Sequence, residues 1–352
     1  PEEEPEEEEV VEEPVLQDQE ITEETVDETF DDVTDTVESA FDSNQWNTAV
    51  GLGGGAGGKF GGRGGGRRKL GKGAGRATAR AIELGLEWLK KHQDEDGKWD
   101  ADDFAKHDIN GEPCDGPGNP VHDVGVTGLA LLAFLGDGSN MRTGAYRDTV
   151  KKAVRWLKDQ QDENGRFGTD ASHDFIYNHM IASLAMCEAY GLSDYKLLRK
   201  YAQGGVNYLE KHRNPYMVWR YQPRDNDNDT SVTGWGVLTY KSAQDFKLQV
   251  SSQALKLCGT WFDQVTDPLT GKCGYSKRGE PSSRHPGDHG TRFPPERGEC
   301  MTAVGLMCRF FLGQDPRDTP VMTQAADTIL KKPPVWDEKA GVIDHYYWYY
   351  AT

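Results

Sequence analysis

An internal repeat constrains the fold of this 352-residue chain more than any other feature of its sequence. Two stretches match position by position at a small residue, Trp-Leu, Gln, Gly and a final aromatic residue: GLEWLKKHQDEDGKW (85–99) and AVRWLKDQQDENGRF (153–167). Three looser copies lose the Gln and Gly, lengthen the turn, or keep only part of the motif: GVNYLEKHRNPYMVW (205–219), LCGTWFDQVTDPLTGKCGY (257–275) and AADTILKKPPVW (325–336). Five copies of one motif predict an array of equivalent structural units.

Each copy is typical of a helix that ends in a turn. Apolar residues at i, i+3, i+4 and i+7 indicate one buried helix face, and Asp-Gly or Asn-Gly supplies the positive φ that stops the helix. We expect the aromatic residue after the glycine to pack back on the helix it follows. We also expect the Gln at the helix end to bind free backbone carbonyls.

A second set of segments lies between these copies and is apolar on all sides, which is typical of buried helices. Its small residues Gly128, Gly234, Gly236 and Gly305 should let neighbouring helices approach closely. The alternation predicts an all-α fold in which an inner ring of helices is wrapped by an outer ring, an α/α toroid of about five helical hairpins. The apolar segments are 124–136, 175–191, 230–243, 300–313 and the start of 345–352.

The charge distribution divides the chain into three regions. Residues 1–50 carry 20 Asp or Glu and no Lys or Arg, and we predict a disordered acidic tail. Residues 51–77 are rich in Gly and Arg and predict a flexible linker, whose Arg-Gly content is a weak nucleic-acid signal. The toroid is predicted over residues 78–352.

No run of 18 apolar residues occurs in the sequence, so no membrane span is expected within it. The chain begins with Pro1 and stops inside an aromatic run at Thr352. We therefore expect an excerpt of a longer protein, with a membrane anchor possible upstream of residue 1.

The two strict copies resemble the Gln-Trp repeats of squalene-hopene cyclases, which are shared with the β subunits of protein prenyltransferases. The resemblance extends over about residues 78–352. It implies an α/α toroid of six hairpins, of which five are present here, and the missing helices are expected after Thr352. It also implies an isoprenoid ligand in a central cavity.

An acid precedes every predicted inner helix. Such a carboxylate caps the first free N–H groups of a helix and meets the positive end of its dipole. In a toroid these acids would also form a rim around one mouth of the cavity, so capping and a functional site both stay open. The candidates for this rim are Asp123, Asp174, Asp229, Glu299 and Asp344.

The stretch DNDNDTSVTGW (225–235) resembles the acidic motif with which squalene-hopene cyclases protonate an alkene. Asp227 and Asp229 are the candidate catalytic acids. Anchoring the motif on Asp229 places Asn228 where the proton donor should be, and a carboxamide cannot donate that proton. The same spacing is weakly similar to a calcium loop, which lacks its Gly and its bidentate acid here.

Metal ligation by the family's zinc residues is incomplete in this sequence. Cys300 aligns with the zinc-binding Cys of prenyltransferases, but Gly298 replaces the Asp and Tyr347 the His. Glu299, Cys300 and the displaced His345 are left as weak zinc candidates. We therefore expect no cofactor.

Aromatic and histidine side chains of the predicted inner helices complete the set of site candidates. Tyr177, Trp235 and Tyr347 would line a central cavity or simply form good core. His179 lies one turn inside an apolar helix and would be either a hydrogen-bonded core residue or part of the cavity wall.

Three functions follow from these patterns. The incomplete acid and zinc motifs favour a non-catalytic or divergent toroid that binds a protein or small ligand on a flexible tether. The resemblance and the acids favour an isoprenoid cyclase, isomerase or prenyl transferase instead. Aromatics and carboxylates alone allow a carbohydrate-active toroid. A cavity filled by side chains such as Trp235 and Tyr347 would exclude the isoprenoid enzyme.

Overall fold

The computed structural model describes residues 74–108, 116–281, 291, 294–336 and 344–351. The predicted acidic tail (1–50) and the predicted linker up to residue 73 lie outside these residues. Within them the chain has ten α-helices, four short 3₁₀ helices and no β-strand. The predicted all-α class is therefore confirmed for the described part of the chain.

The helices alternate between two sets. The amphipathic set comprises α1 (Ala74–Lys91), α3 (Arg147–Asp159), α5 (Arg199–His212), α7 (Ser252–Val265) and α9 (Pro320–Leu330). The buried set comprises α2 (Asp123–Gly136), α4 (Phe175–Ser193), α6 (Thr230–Asp245), α8 (Cys300–Phe311) and α10 (His345–Ala351). Helix α1 begins at Ala74, within the last four residues of the predicted linker.

Burial separates the two sets as the hydrophobic pattern predicts. Of the 19 residues of α4, 15 are buried. Of the 13 residues of α3, only 5 are buried. Helices that are apolar on all sides lower the free energy only if all of their faces leave water, which is why this set occupies the core.

Glycine lets neighbouring helices of the buried set come close together. A Cβ added at Gly128 of α2 would lie 2.9 Å from Ile181 of α4, and one added at Gly234 of α6 would lie 2.6 Å from Val304 of α8. Gly236 and Gly305 instead approach residues of the inter-helix turns, Trp219 and Cys273 respectively.

The turn after each amphipathic helix packs back on that helix. The indole N–H of Trp99 donates to the carbonyl of Leu89 at 2.7 Å, and the indole N–H of Trp219 donates to the equivalent carbonyl of Leu209 at 2.9 Å. Both aromatic residues are at most 3 % exposed. The predicted contact between the aromatic residue and its own helix is thus confirmed in these two copies.

The repeat glutamine binds carbonyls on both sides of the turn. Gln93 Nε2 donates to Gly97 at 3.0 Å and to Thr149 of α3 at 3.0 Å. Gln161 Nε2 donates in the same way to Gly165 at 3.1 Å and to Tyr201 of α5 at 2.9 Å. The glutamine therefore joins its own turn to the next amphipathic helix, which the sequence pattern did not predict.

The third copy keeps the bond within the turn but makes it with a different side chain. Arg213 occupies the glutamine position, and its Nη1 donates to the Met217 carbonyl at 2.8 Å. Its Nη2 donates to Glu210 at 2.6 Å. Glu210 belongs to the same helix α5, so both of these bonds stay within the third copy, unlike those of Gln93 and Gln161.

The turn glycines fit directly against the backbone of the next amphipathic helix. These glycines are Gly97, Gly165 and Gly271, and all three have a positive φ, between 71° and 107°, which an L-residue rarely adopts. An added Cβ would lie within 2.4 Å of that backbone. The pairs are Gly97 with Lys152, Gly165 with Gly204, and Gly271 with Ala325.

These contacts form a row of hairpins. Each helix of the buried set packs on the next helix of that set, and each amphipathic helix packs on its neighbours in the buried set. Closure of this row into a ring stays a prediction. None of the described helices has the length and apolar composition to cross a membrane.

Candidate functional site

Two of the five predicted rim acids are helix caps. Asp229 Oδ1 accepts from the Val232 N–H at 2.7 Å at the start of α6. Asp344 Oδ1 accepts from the Tyr347 N–H at 3.1 Å at the start of α10. Both bonds satisfy an N–H group that has no partner within the helix.

The other three rim acids bind neighbouring side chains. Asp123 accepts from Lys98 Nζ at 2.7 Å, and Glu299 accepts from Lys332 Nζ at 2.8 Å. Asp174 accepts from the Ser172 hydroxyl. All five acids lie at the N-terminal ends of buried helices, and each has a local partner there.

Asp229 is the most deeply buried acid of this group. Its exposed fraction is 0 %. Its Oδ2 accepts from the Tyr275 hydroxyl at 3.2 Å and lies 3.7 Å from Arg220 Nε. Asp229 therefore contacts its own helix and two separate loops at once.

A chain of hydroxyl groups extends from Asp229. Tyr275 Oη lies 2.5 Å from Tyr221 Oη. Because Tyr275 donates its proton to Asp229, Tyr221 must donate to Tyr275. The Arg220 guanidinium lies over both tyrosine rings, 5.5 Å and 5.8 Å from their centroids.

Burial raises the pKa of the Asp229 carboxyl from 3.8 to about 7, although the Val232 N–H, the Arg220 charge and the Tyr275 hydroxyl act to lower it. A carboxyl with such a pKa exchanges its proton near neutral pH. Perturbed acids of this kind are enriched at functional sites, but structural networks also produce them.

The neighbouring acid Asp227 has a different environment. Its side chain is 68 % exposed and pairs with Arg220 Nη1 at 3.2 Å. Asp225 is also exposed and accepts from the Asp227 N–H in a local turn. The three alternate acids of the calcium-like spacing therefore differ in burial, and only Asp229 faces the interior.

The buried helices carry a far face, which we define as the face turned away from the amphipathic set. On α4 it comprises Tyr177, Ile181, Leu184 and Glu188, because His179 and Ser183 on the opposite side contact α5. On α6 the far face comprises Ser231, Trp235, Leu238 and Ser242.

Polar contacts join the two far faces at both ends. At the N-terminal end the Tyr177 hydroxyl donates to Ser231 at 2.8 Å, and Ser231 also bonds to Tyr346 of α10. At the other end Ser242 donates to Glu188 at 2.5 Å. The two helices are therefore held together over most of their length.

Aromatic side chains of α10 cover the space between these contacts. The Trp235 ring stacks on Tyr349 with 5.4 Å between centroids, and Tyr350 meets it edge-on at 6.1 Å. Trp235 is 5 % exposed, while Tyr349 is 50 % exposed. Trp235 therefore belongs to a packed aromatic group with only one partly open member.

Tyr347 points to a different place. Its hydroxyl donates to the Lys332 carbonyl at 2.6 Å just beyond the end of α9, and its ring packs against Gly298. Of the three predicted cavity aromatics, Tyr177 and Trp235 are thus brought together on the far faces, and Tyr347 is not among them.

His179 is a hydrogen-bonded core residue, one of the two alternatives that its position allowed. Its Nδ1 accepts from the Phe167 N–H at 3.0 Å, and its Nε2 donates to the Gly205 carbonyl at 3.2 Å. Its exposure is 0 %, and burial lowers its pKa from 6.5 to about 3. It joins a turn to two helices and lies away from the far face.

The weak zinc candidates also lie in different environments. Cys300 is fully buried, whereas His345 is exposed and packs on Trp348. Within the described ranges, three carboxylates have oxygens within 4.8 Å of one another: Asp100, Asp102 and Asp123. Lys98 Nζ lies between two of them, 2.8 Å from Asp100 and 2.7 Å from Asp123, so its ammonium group already supplies the compensating positive charge.

Several residues of this site were not predicted from the sequence. Arg220 and Tyr275 come from separate turns, and no local pattern links them to Asp229. Glu188 had a visible signal, because it is the single charged residue of the apolar segment FIYNHMIASLAMCEAYG. An acid within such a segment is costly to bury without a partner.

Comparison with protein-family models gives no match to this chain. A comparison with curated proteins also finds no significant relative.

Proposed function

We propose that the described helices form five hairpins of an α/α toroid related to squalene-hopene cyclases and prenyltransferase β subunits, and that this toroid is a binding module and not a catalyst. The alternation of the two helix sets supports the architecture, as do the Gln-Gly turns that join successive amphipathic helices. Fold similarity alone does not decide the activity, so the functional part of the proposal depends on the site.

The observation that carries the binding function is the packing of the far faces. Ile181, Leu184 and Trp235 are 5 to 7 % exposed. An enzyme of the resembled class needs an open apolar cavity in which its acid meets the substrate. Here aromatic side chains of α10 occupy that region, and Asp229 has no exposed surface.

The partly exposed groups around Asp229 are the best candidate contacts for a ligand. Arg220, Tyr177, Tyr221 and Tyr346 are intermediate in exposure. Together they offer a guanidinium group and three hydroxyls on aromatic rings, which suit hydrogen bonding and stacking with a bound molecule. We name Arg220, Tyr177, Tyr221 and Tyr346 the tyrosine rim.

Native mass spectrometry of the chain purified from its own cells tests this function. The proposal expects a bound ligand or partner that is lost from Arg220→Ala and weakened in Tyr221→Phe. Leu269→Ser is the matched control, because Leu269 is 83 % exposed on a different turn. Retention of the bound mass by both rim variants would contradict the proposal, as would a wild-type chain that carries nothing.

One observation favours a second function, an acid-catalysed isoprenoid enzyme. The pKa of Asp229 near 7 and its hydroxyl chain to Tyr221 would suit a proton donor. Incubation with squalene and product analysis tests this alternative. Turnover by the wild type that is abolished in Asp229→Asn and kept in Asp227→Asn would establish the enzyme and refute the binding module.

A further inference from the structure

The loops that follow the buried helices α2, α4 and α6 lie together at one end of the helix row. They comprise residues 137–146, 194–198 and 246–251. The Arg142 guanidinium donates to the Asp194 carbonyl at 3.3 Å and joins the first loop to the second. Gln203 of α5 donates to the Gln249 carbonyl at 3.0 Å and so joins the helix after the second loop to the third loop. All three loops connect helices inside the row, so their exposure does not depend on where the row begins or ends.

Basic side chains are concentrated on these loops and on the first residues of α5. Five Lys or Arg side chains there are exposed. Within the described residues, the ion pairs at this end involve other basic groups, Arg147 with Asp148 and Lys241 with Asp245, so the five have no acidic partner in that part of the chain. We name these five and the exposed Leu197 the basic end: Arg142, Lys196, Leu197, Arg199, Lys200 and Lys247.

The opposite end of the helix row carries the reverse charge. It contains the turns after α1, α3 and α5, residues 92–122, 160–174 and 213–229. Among the described residues of these turns, eight acidic side chains are exposed, against the two basic side chains of Lys106 and Arg224. The tyrosine rim lies at this end, because its residues belong to these turns or to the first residues of buried helices. The helical part of the chain therefore has a basic end and an acidic end.

One large apolar side chain lies among the basic groups. Leu197 is 55 % exposed, next to Lys196 and two residues before Arg199. A dissolved polyanion would pair with the ammonium and guanidinium groups but would leave this leucine in water. The surface of an anionic lipid bilayer takes both kinds of group, because its headgroups attract Lys and Arg and its acyl boundary accepts an apolar side chain.

We propose that the basic end binds the surface of an anionic lipid bilayer, with Leu197 inserted among the headgroups and the tyrosine rim turned towards the solvent. Each Lys or Arg near such a surface strengthens binding roughly fivefold, so a few of the five basic residues are enough for reversible association. The same surface repels the acidic end, which gives the bound helices one orientation. The proposal goes beyond the binding function of the tyrosine rim and does not depend on it.

Co-sedimentation of the full 352-residue chain with vesicles tests the proposal. The chain has a net charge of -18, so its overall charge predicts repulsion, and binding requires a local basic surface. The wild type should bind vesicles of phosphatidylserine and phosphatidylcholine in equal parts, should bind phosphatidylcholine vesicles much more weakly, and should dissociate at high salt. Lys196→Glu/Lys200→Glu should weaken binding roughly tenfold or more, and Leu197→Ser roughly fivefold.

Two matched variants control for net charge and for the loss of an exposed apolar side chain. Lys211→Glu/Lys277→Glu changes the net charge by the same amount at exposed positions away from the basic end. Leu269→Ser removes a leucine that is 83 % exposed on another turn. Both controls should bind vesicles like the wild type, and thermal unfolding establishes that each variant is folded.

Three results would overturn the proposal. The first is a wild type that does not bind the anionic vesicles. The second is a Lys196→Glu/Lys200→Glu variant that binds like its charge-matched control, since another basic part of the chain would then hold the vesicle. The third is a Leu197→Ser variant that binds like the wild type, because the basic end would then recognise anions in general and not a bilayer surface.

Discussion

Replacing Asp229 by asparagine removes a titratable group from the buried start of α6 and keeps the size of the side chain. Asparagine is also a good N-cap, so the bond from the Val232 N–H can persist. The variant therefore isolates the effect of the carboxyl charge. Its consequence for stability depends on pH.

The sign follows from proton binding. The pKa of Asp229 is raised to about 7 in the folded chain, so between pH 3.8 and pH 7 the folded state holds a proton that the unfolded state has released. Stability from this group is fully present below pH 3.8 and is lost as pH rises towards 7. From pH 5 to pH 8 the free energy of unfolding of the wild type should fall by about 3 kcal/mol relative to that of Asp229→Asn, because each pH unit below the pKa contributes about 1.4 kcal/mol.

Urea unfolding of both proteins at pH 5, 6, 7 and 8 measures this difference. Asp344→Asn is the matched control, because Asp344 also caps a helix but is only partly buried, and its difference from the wild type should vary much less. A difference for Asp229→Asn that is flat with pH would refute the reasoning. So would a wild type that gains stability relative to the variant as pH rises, since Asp229 would then be an ionised partner of Arg220.

Three further substitutions test the repeat contacts. Gly165→Ala should destabilise the chain by about 2 kcal/mol more than Gly279→Ala in urea unfolding. Both glycines have positive φ, but only a Cβ at residue 165 would clash, 2.2 Å from the Gly204 carbonyl oxygen. Equal costs would contradict the turn packing. Gln161→Ala should lower the free energy of unfolding by about 2 kcal/mol through two lost hydrogen bonds. Gln203→Ala should cost less, because the hydrogen bonds of Gln203 lie at solvent-exposed positions. The pKa of His179 is lowered to about 3, so the folded state resists the proton that the unfolded state binds. Between pH 7 and pH 5 the free energy of unfolding of the wild type should therefore fall by about 2 kcal/mol relative to that of His179→Asn. No such fall on acidification would show that His179 binds a proton in the core.

Helix positions and burial could be predicted from local patterns. The apolar segment 175–191 matches α4, which extends to Ser193, because a helix without a polar face has to be buried. The Gly-aromatic turn was also predictable. The glycine with positive φ and the aromatic residue that follows it lie within one repeat, so the contact is local. The acid before α6 was expected either to cap the helix or to belong to a functional rim, and Asp229 does cap the helix.

The candidate site was less predictable because its contacts join distant parts of the chain. Tyr221 and Tyr275 are 54 residues apart in sequence, yet their hydroxyls lie 2.5 Å apart. The alternate acids 225, 227 and 229 look equivalent in the sequence, but the fold buries only Asp229. Which acid is buried depends on how the start of α6 packs, and no periodic pattern records that.

Binding of squalene tests most directly whether aromatic side chains fill the space at the far faces of the buried helices. Equilibrium binding, followed by tryptophan fluorescence, compares the wild type with the double variant Trp235→Ala/Tyr349→Ala, which removes the stacked pair from the far face. We expect no saturable binding by the wild type and measurable binding by the variant, because a dry apolar cavity accepts apolar ligands. Saturable binding by the wild type, at an affinity that the double substitution lowers, would show that these aromatics line an open cavity and would contradict the account.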